Sequence, residues 1–286
     1  MFDSIHLFAG VAGLTSWFDV LFLFFSGIIA GVLSAIFGVG GGFLFTPLFH
    51  TWFHFSAVNS VATSMAQIPF TTLSGLIKYL RKINIQYKEG FTMLAGALPA
   101  SQAAVFTYKW TSRHLSDTIV YGTSTFLDLF LAIAFTFLLF SMGVYTIINN
   151  RREKPETEPG NKKTSTLRTL IWGIAVGLVS GFFGVGGGFL AVPYFIYVCG
   201  YTPAQSSATS LFIIFPVAFL STLHFWSLDQ VIVAPALVAA IGGIMGAQLG
   251  AQISLKTKEK RLKVALGFFQ LGLGGVYLFT KILMVN

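Results

Sequence analysis

Polar side chains recur at helical spacing within one apolar stretch of this 286-residue chain. Successive steps of three or four residues place them on one helical face, and they are Asn59, Thr63, Gln67, Thr71, Ser74 and Lys78. A stretch 146 residues later keeps part of this polar stripe as Gln205, Thr209, Ser221 and His224. Hydroxyls and amides on one face can replace water around a ligand, or they can hydrogen-bond their own helix and join neighbouring helices. The stripe predicts a lined ligand pathway, with structural hydrogen bonding as the alternative.

The sequence FGVGGGFL occurs twice, at residues 37–44 and 183–190. Glycine adopts positive φ without strain and lets other atoms approach its backbone closely. The candidate binding residues in these two glycine tips are Gly38, Gly40, Gly41, Gly42, Gly184, Gly186, Gly187 and Gly188. A helix that begins after each tip presents free N–H groups and a partial positive charge, which favour an anion. The preceding helix ends nearby with the opposite sign, and glycines also serve tight helix packing, so both alternatives stay open.

Four further polar residues occupy equivalent places in the two halves of the chain. Ser64 and Ser210 each end an Ala-Thr-Ser sequence, and Gln102 and Gln248 lie among small residues that permit close helix approach. A buried amide needs a hydrogen-bonding partner, which is either the ligand or another helix. These four residues are therefore candidates for substrate binding, with interhelical structure as the alternative.

Three ionisable residues are candidates for ion coupling or for lining the pathway. Lys78 and His224 belong to the polar stripes, and Asp128 lies inside an apolar run. Ionisable groups within membrane segments are often functional. Counting back from the end of that run places Asp128 near the outer surface, which weakens its assignment.

Sequence motifs that would indicate catalysis or a bound cofactor are absent. The chain has neither a G-x-S-x-G nucleophile elbow nor an H-E-x-x-H motif, and Cys199 is its single cysteine. His50 and His54 are four residues apart without a further ligand, which favours a structural role. No nucleotide-binding P-loop occurs, and Phe43 stands where a dinucleotide fingerprint would need glycine. We predict no enzymatic activity, no cofactor and no metal.

The overall composition indicates that membrane-spanning helices position these residues. The chain is 55% hydrophobic and 10% charged, whereas soluble domains carry roughly 25% charged residues. Long apolar runs, such as 118–148, exceed the roughly 20 residues that cross a bilayer as a helix. The net charge of +8 fits basic cytoplasmic loops rather than a nucleic-acid partner. The predicted fold class is an all-α, multi-pass integral membrane protein.

A constant offset of 146 residues relates the two halves of the chain. Residues 31–47 match residues 177–193 at 11 of 17 positions, and Gln102 falls on Gln248 without a gap. Duplication of this kind in a membrane protein suggests a transporter repeat. We expect a first transmembrane repeat at 18–148, a cytoplasmic linker at 149–166 and a second transmembrane repeat at 167–284.

Each repeat contains five apolar segments that are expected to be helical. In the first repeat they cover 18–37, 43–54, 57–80, 91–108 and 118–148. In the second repeat they cover 167–183, 189–199, 203–226, 230–253 and 262–284. The second segment of each repeat follows a glycine tip and, at about twelve residues, is too short to span a bilayer alone. It is predicted to be a short broken or re-entrant helix.

The distribution of positive charge predicts that the two repeats have inverted topology. With the N-terminus outside and an odd number of crossings per repeat, 15 of the 18 Lys and Arg residues fall on the cytoplasmic side. Those left outside are Lys109, Arg113 and Lys281. An even number of crossings per repeat gives at best 11 against 7. The positive-inside rule therefore favours the inverted arrangement in the cytoplasmic membrane.

The chain resembles the sulfite exporter TauE/SafE family of membrane permeases. The resemblance is carried by the duplicated glycine motif, by the proline five residues after each copy and by the later Ala-Thr-Ser. The resemblance covers about residues 18–284. It implies a substrate such as sulfite, an organosulfonate or a related sulfur-containing or carboxylate anion.

These observations together predict a secondary transporter that moves a small anion by alternating access about a central site at the two glycine tips. Its predicted partners are the small anionic substrate and the lipid bilayer, with protons as a candidate coupling ion. A channel-like anion conduit and a non-transporting membrane assembly factor are the alternatives. The direction of transport and the oligomeric state stay open.

Overall fold

A computed structural model describes residues 14, 16–115, 119–121, 124–125, 133, 136–137, 139–148 and 164–285. The first half contains helices α1 (Trp17–Phe37), α2 (Gly42–Thr51), α3 (Ala57–Leu80), α4 (Tyr87–Leu115) and α5 (Leu139–Ile148). A short antiparallel pair of strands, β1 (Ile119–Tyr121) and β2 (Ser124–Thr125), comes between α4 and α5 in the sequence. The second half contains α6 (Thr166–Phe183), α7 (Gly188–Pro193), α8 (Pro203–Trp226), α9 (Val233–Lys256) and α10 (Glu259–Val285). A π-helical turn (Tyr194–Val198) continues α7.

Helix boundaries follow local signals in the sequence. α3 and α8 cover the predicted segments 57–80 and 203–226. α1 begins at a capping box, in which the amide of Asp19 donates to the Ser16 hydroxyl and the Ser16 amide donates to the Asp19 carboxylate. The structure differs from the single apolar helix predicted over 118–148, because β1 and β2 occupy its first part. β-branched and aromatic residues such as those of β1 favour a strand.

The distribution of apolar side chains is that of a membrane protein, as predicted. α1, α6, α8 and α9 are each long and apolar enough to cross a bilayer. Large apolar side chains such as Phe25, Ile171 and Leu249 are exposed on the outside of the helices. The buried polar side chains in the described part of the chain are all Ser, Thr or Gln. The protein therefore presents apolar groups outward and keeps an uncharged polar interior.

The first helix of each half packs against the fourth helix of the other half. α1 packs along α9 of the second half, and α6 packs along α4 of the first half. Small residues permit these contacts, because a β-carbon on Gly31 would collide with the backbone of Gly243 and one on Gly177 with the backbone of Ala97. α3 lies against both α8 and α9. At the offset of 146, α1 corresponds to α6 and α4 to α9, so each contact has a counterpart in the other half.

The inverted orientation of the two repeats and their exact boundaries stay predictions. Residues 149–163 of the predicted linker lie outside the described residues, and so does Asp128.

Candidate functional site

The two glycine tips have the same backbone conformation. In the first tip φ is 65° at Gly38, 92° at Gly40 and 80° at Gly41, and the equivalent angles in the second tip are 66°, 86° and 76°. Gly38 ends α1 by donating its N–H to Ser34 O, and α2 begins after Gly41. Residues with a side chain rarely adopt this left-handed backbone conformation, so glycine is required to turn the chain between the two helices.

The two tips contact each other. A β-carbon on Gly42 would collide with Gly184 O, and one on Gly188 would collide with Gly38 O. Tip-to-tip contact is the close backbone approach that three glycines in a row make possible. The tips therefore meet where the two halves join.

Serine hydroxyls cap the carbonyl groups of both tips. Ser64 Oγ donates to Gly184 O at 3.0 Å and approaches Gly42 O at 3.1 Å, and Ser210 Oγ donates to Gly38 O at 2.6 Å. Each serine thus bonds the tip of the opposite half. This arrangement gives Ser64 and Ser210 a structural partner at the very place where they were predicted to contact a ligand.

Apolar side chains close the region around the tips on two sides. Phe43 and the equivalent Phe189 meet edge to face with ring centres 5.6 Å apart, and Phe269 of α10 packs on both rings. A β-carbon on Gly40 or on Gly186 would lie 3.1 or 2.9 Å from Ile214 Cγ2, which is closer than ordinary van der Waals contact. The tips are therefore enclosed in this conformation.

Two threonines of the polar stripe bond the backbone of the opposite half. Thr63 Oγ1 accepts a hydrogen bond from Ile232 N at 3.1 Å, just before α9. Thr209 Oγ1 accepts one from Gln86 N at 3.3 Å, just before α4. These are equivalent positions at the offset of 146. The geometry gives both hydroxyls the interhelical bonding that was the alternative to pathway lining.

Gln102 and Gln248 also bond neighbouring helices. Gln102 contacts Ser221 Oγ through Nε2 at 3.4 Å and the His224 ring through Oε1 at 3.2 Å. Gln248 Nε2 donates to Ser74 O at 2.7 Å. Gln102 thus joins α4 to α8, and Gln248 joins α9 to α3. Because α4 corresponds to α9 and α8 to α3, the two amides occupy comparable places in the two halves.

The remaining candidates are distributed outside the tips. Gln205 helps to cap α8. Its side-chain Oε1 accepts from the backbone N–H of Thr202, and its backbone N–H donates to Thr202 Oγ1. This is a capping box, and the pattern Thr-x-x-Gln was a signal for it in the sequence. Asn59 lies in the first turn of α3, where its backbone N–H donates to Ser56 Oγ, and Lys78 in the last turn is partly exposed.

Gln67 is a buried candidate whose amide nitrogen has no partner among the described residues. Thr71 Oγ1 donates to Gln67 Oε1 at 2.9 Å, whereas Nε2 makes no hydrogen bond with the part of the chain that the structure describes. Gln67 is fully buried, and a β-carbon on Gly41 would lie 3.5 Å from Nε2. A donor without a partner among the described residues therefore lies beside Gly41, the glycine that precedes α2.

Ser34 is a second buried donor beside Gly41 that sequence reasoning missed. Its Oγ makes no hydrogen bond to any described residue, and its Cβ would lie 3.7 Å from a β-carbon on Gly41. The available signal was that Ser34 and Ser180 are identical at the offset of 146 within the matched segment. No three His, Cys, Asp or Glu side chains of the described residues lie close enough together to hold a metal ion.

Comparison with known proteins identifies relatives over most of the chain. Residues 23–277 match the family model described as sulfite exporter TauE/SafE. The probable membrane transporter protein YdhB of Bacillus subtilis is 30% identical over 256 residues, covering 86% of this chain and 94% of the relative. The probable membrane transporter protein YunE of Bacillus subtilis is 26% identical over 255 residues, covering 82% and 89% respectively. A probable membrane transporter protein of Methanocaldococcus jannaschii is 24% identical over 268 residues, covering 88% and 92%.

Proposed function

The chain belongs to the sulfite exporter TauE/SafE family, and on that premise we propose that it is a secondary transporter of a small anion in the cytoplasmic membrane. The substrate class in this proposal is sulfite, an organosulfonate or a related carboxylate. The observation that carries the proposal is the meeting of the two glycine tips inside an uncharged polar interior.

The hydrogen-bonding groups at the tips support an anion over a cation. A bound cation needs oxygen ligands, but Gly38 O and Gly184 O already accept from serine hydroxyls. An anion needs donors, and buried donors without partners lie beside the first tip. The start of α2 adds amide N–H groups that have no partner within the helix.

Enclosure of the tips supports alternating access rather than an open channel. Phe43 and Phe189 lie on one side of the tips, and Ile214 lies on another. Passage of an ion requires these contacts to separate on one side at a time. Inverted repeats supply two such arrangements of similar energy, because each half can adopt the conformation of the other.

The energetics of the proposal follow from the charge of the substrate. Export of an anion is favoured by an inside-negative potential by roughly 2.3 kcal/mol per charge per 100 mV. The buried polar side chains among the described residues carry no charge that would compensate the substrate, so we expect transport to be electrogenic. Coupling to protons would be needed for uptake against the potential.

Flux measurements in proteoliposomes test this function. We expect saturable uptake of sulfite or methanesulfonate, counterflow against an internal pool and no uptake by protein-free liposomes. A positive-inside potential should accelerate anion entry. Continuous current without counterflow would support the channel-like alternative. Absence of flux for every anion tested, from protein that is folded and monodisperse, would refute the proposal and favour an assembly factor.

A further inference from the structure

The two glycine tips are alike in backbone but not in the space beside them. A β-carbon on Gly41 would make only ordinary contacts, the nearest being Gln67 Nε2 at 3.5 Å. A β-carbon on the equivalent Gly187 would lie 2.6 Å from Val176 O and 2.8 Å from Val176 Cγ1. The first tip therefore adjoins a space that accepts a methyl-sized group, and the second does not.

Three substitutions between the halves accompany this difference, to which the backbone carbonyl of Val176 also contributes. Val176 corresponds to Ala30 at the offset of 146, so a larger side chain faces the second tip. Gln67 and Thr71 correspond to Ile213 and Val217, and all four side chains are buried. The polar side chains Gln67 and Thr71 of the first half are thus replaced by apolar side chains in the second half.

The unpaired groups around the first tip are uncharged donors; the neighbouring Gln67 Oε1, 3.6 Å from a β-carbon on Gly41, already accepts from Thr71 Oγ1. Gln67 Nε2 and Ser34 Oγ have no partner among the described residues, and both side chains are 0% exposed. An unsatisfied buried donor costs about 1–3 kcal/mol, which a ligand that accepts hydrogen bonds would recover. The helix α2 begins at the same place, with ten residues, and its first amides add further donors.

The acidic and basic side chains on the helices around Gln67 are few and lie toward the surface. On α1, α2, α3, α8 and α9 they are Asp19, His50, Lys78, His224 and Lys256, and none is fully buried. The buried Tyr79 of α3 keeps its proton, which it donates to Ala35 O. A second negative charge on a ligand at Gln67 would therefore have no buried counter-charge on these five helices. Burial of uncompensated charge is costly and rises steeply with the charge of the ion.

We propose that this transporter has a single substrate site at the first tip, formed by Ser34, Gly41 and Gln67, and that the site binds the monoanion of an oxyacid. The inference rests on the proposed transport function and specifies its site and the charge of its substrate. Because the space is methyl-sized in this conformation, Gln67 must move to admit a larger head group. The second tip keeps the backbone framework without a site of its own.

Matched serine variants test where the site lies. Ser34→Ala removes an unpaired donor beside the first tip, and Ser180→Ala removes the equivalent unpaired hydroxyl of the second half. Neither change breaks a hydrogen bond within the described part of the chain, and each removes an unsatisfied buried hydroxyl, so both proteins should fold with a melting temperature no lower than that of the wild type. Ser34→Ala should weaken binding of methanesulfonate to the protein in nanodiscs by about tenfold or more, the effect of one charge-assisted hydrogen bond. Ser180→Ala should change affinity less than twofold.

A second pair of variants keeps the test independent of the serines. Gln67→Leu should weaken methanesulfonate binding at least as much as Ser34→Ala, and Ile213→Leu should have little effect. The single site would be overturned if variants of the two halves lost methanesulfonate affinity equally. It would also be overturned if both Ser34→Ala and Gln67→Leu bound methanesulfonate with unchanged affinity. If wild-type protein transports anions and these variants transport equally well, the site assignment fails while the transport function stands.

The charge of the ligand is tested with a panel of anions. Methanesulfonate is a monoanion throughout the accessible pH range, sulfate is a dianion, and sulfite changes from monoanion to dianion close to neutrality. We expect methanesulfonate to bind with the same affinity across neutral pH, sulfite to bind more weakly as pH rises, and sulfate not to compete. Tight sulfate binding, or sulfite affinity that rises with pH, would overturn the monoanion assignment.

Discussion

Gly41→Ala and Gly187→Ala provide a test of the difference between the tips. Both residues have positive φ, 80° and 76°, so both substitutions incur the same left-handed strain of about 1–2 kcal/mol. The strain therefore cancels in the comparison. The two variants then differ in the packing of the new methyl group, which meets Gln67 Nε2 at 3.5 Å in the first tip but Val176 O at 2.6 Å in the second.

The expected difference in stability follows from that contact. Overpacking of a buried site costs about 1–3 kcal/mol, so Gly187→Ala should be less stable than Gly41→Ala by about that amount. Melting temperatures of the purified proteins in the same detergent measure the order. Adding Val176→Ala to Gly187→Ala should recover part of the loss, because it removes the Cγ1 contact at 2.8 Å but leaves the carbonyl in place.

Transport should follow the opposite order. Gly41→Ala should fold well but lose affinity for methanesulfonate, since its methyl group occupies the space beside Gln67. The duplicated sequence by itself predicts equal sensitivity at the two glycines. Equal melting temperatures for Gly41→Ala and Gly187→Ala would refute the packing difference described here, and normal substrate affinity in Gly41→Ala would refute the use of that space by the ligand.

Three further predictions concern the framework and the topology. Thr63→Val and Thr209→Val should each lower the free energy of unfolding by about 1–3 kcal/mol, because each leaves a backbone N–H unpaired; unchanged thermal stability would contradict these hydrogen bonds. Gln205→Ala should cost about 0.5–1.5 kcal/mol, because it removes the side-chain half of the capping box of α8 while the Gln205 backbone N–H still donates to Thr202 Oγ1; the measurement is the same, and a loss of ligand affinity without destabilisation would return Gln205 to the binding site. Cysteines introduced at 256–263 should be labelled by impermeant maleimide only from the cytoplasmic side, with the native Cys199 unreactive because its thiol is buried; external labelling of the loop would contradict the inverted topology.

Much of the framework was predictable because it depends on local patterns. The apolar segments 57–80 and 203–226 coincide with α3 and α8, since a long apolar run bounded by capping residues specifies a helix. The glycine repeats predicted a tight turn with close backbone approach, which φ values and tip contacts now describe. The start of the segment 118–148 was less predictable, because its apolar residues include β-branched and aromatic types that also form strands.

The roles of individual polar residues were harder to predict, because hydroxyls and amides serve structure and binding alike. Thr63 and Gln67 lie one turn apart on the same face of α3, and the sequence treats them as equivalent. Their difference depends on what faces them: an amide N–H before α9 satisfies Thr63, whereas no described group satisfies Gln67 Nε2. Such partners come from distant parts of the chain and leave no local signal.

The differences between the repeats are more informative about function than their identities. Positions that are the same in both halves, such as Ser64 and Ser210, bond the opposite tip and hold the duplicated framework together. Symmetry of the framework requires these residues twice, whereas a ligand needs to be bound only once. The site should therefore lie where one half has lost the symmetry, and Gln67 opposite Ile213 is such a position. Its amide is also a buried donor without a partner among the described residues, so the break in the repeat and the unsatisfied hydrogen bond lead independently to the same residue.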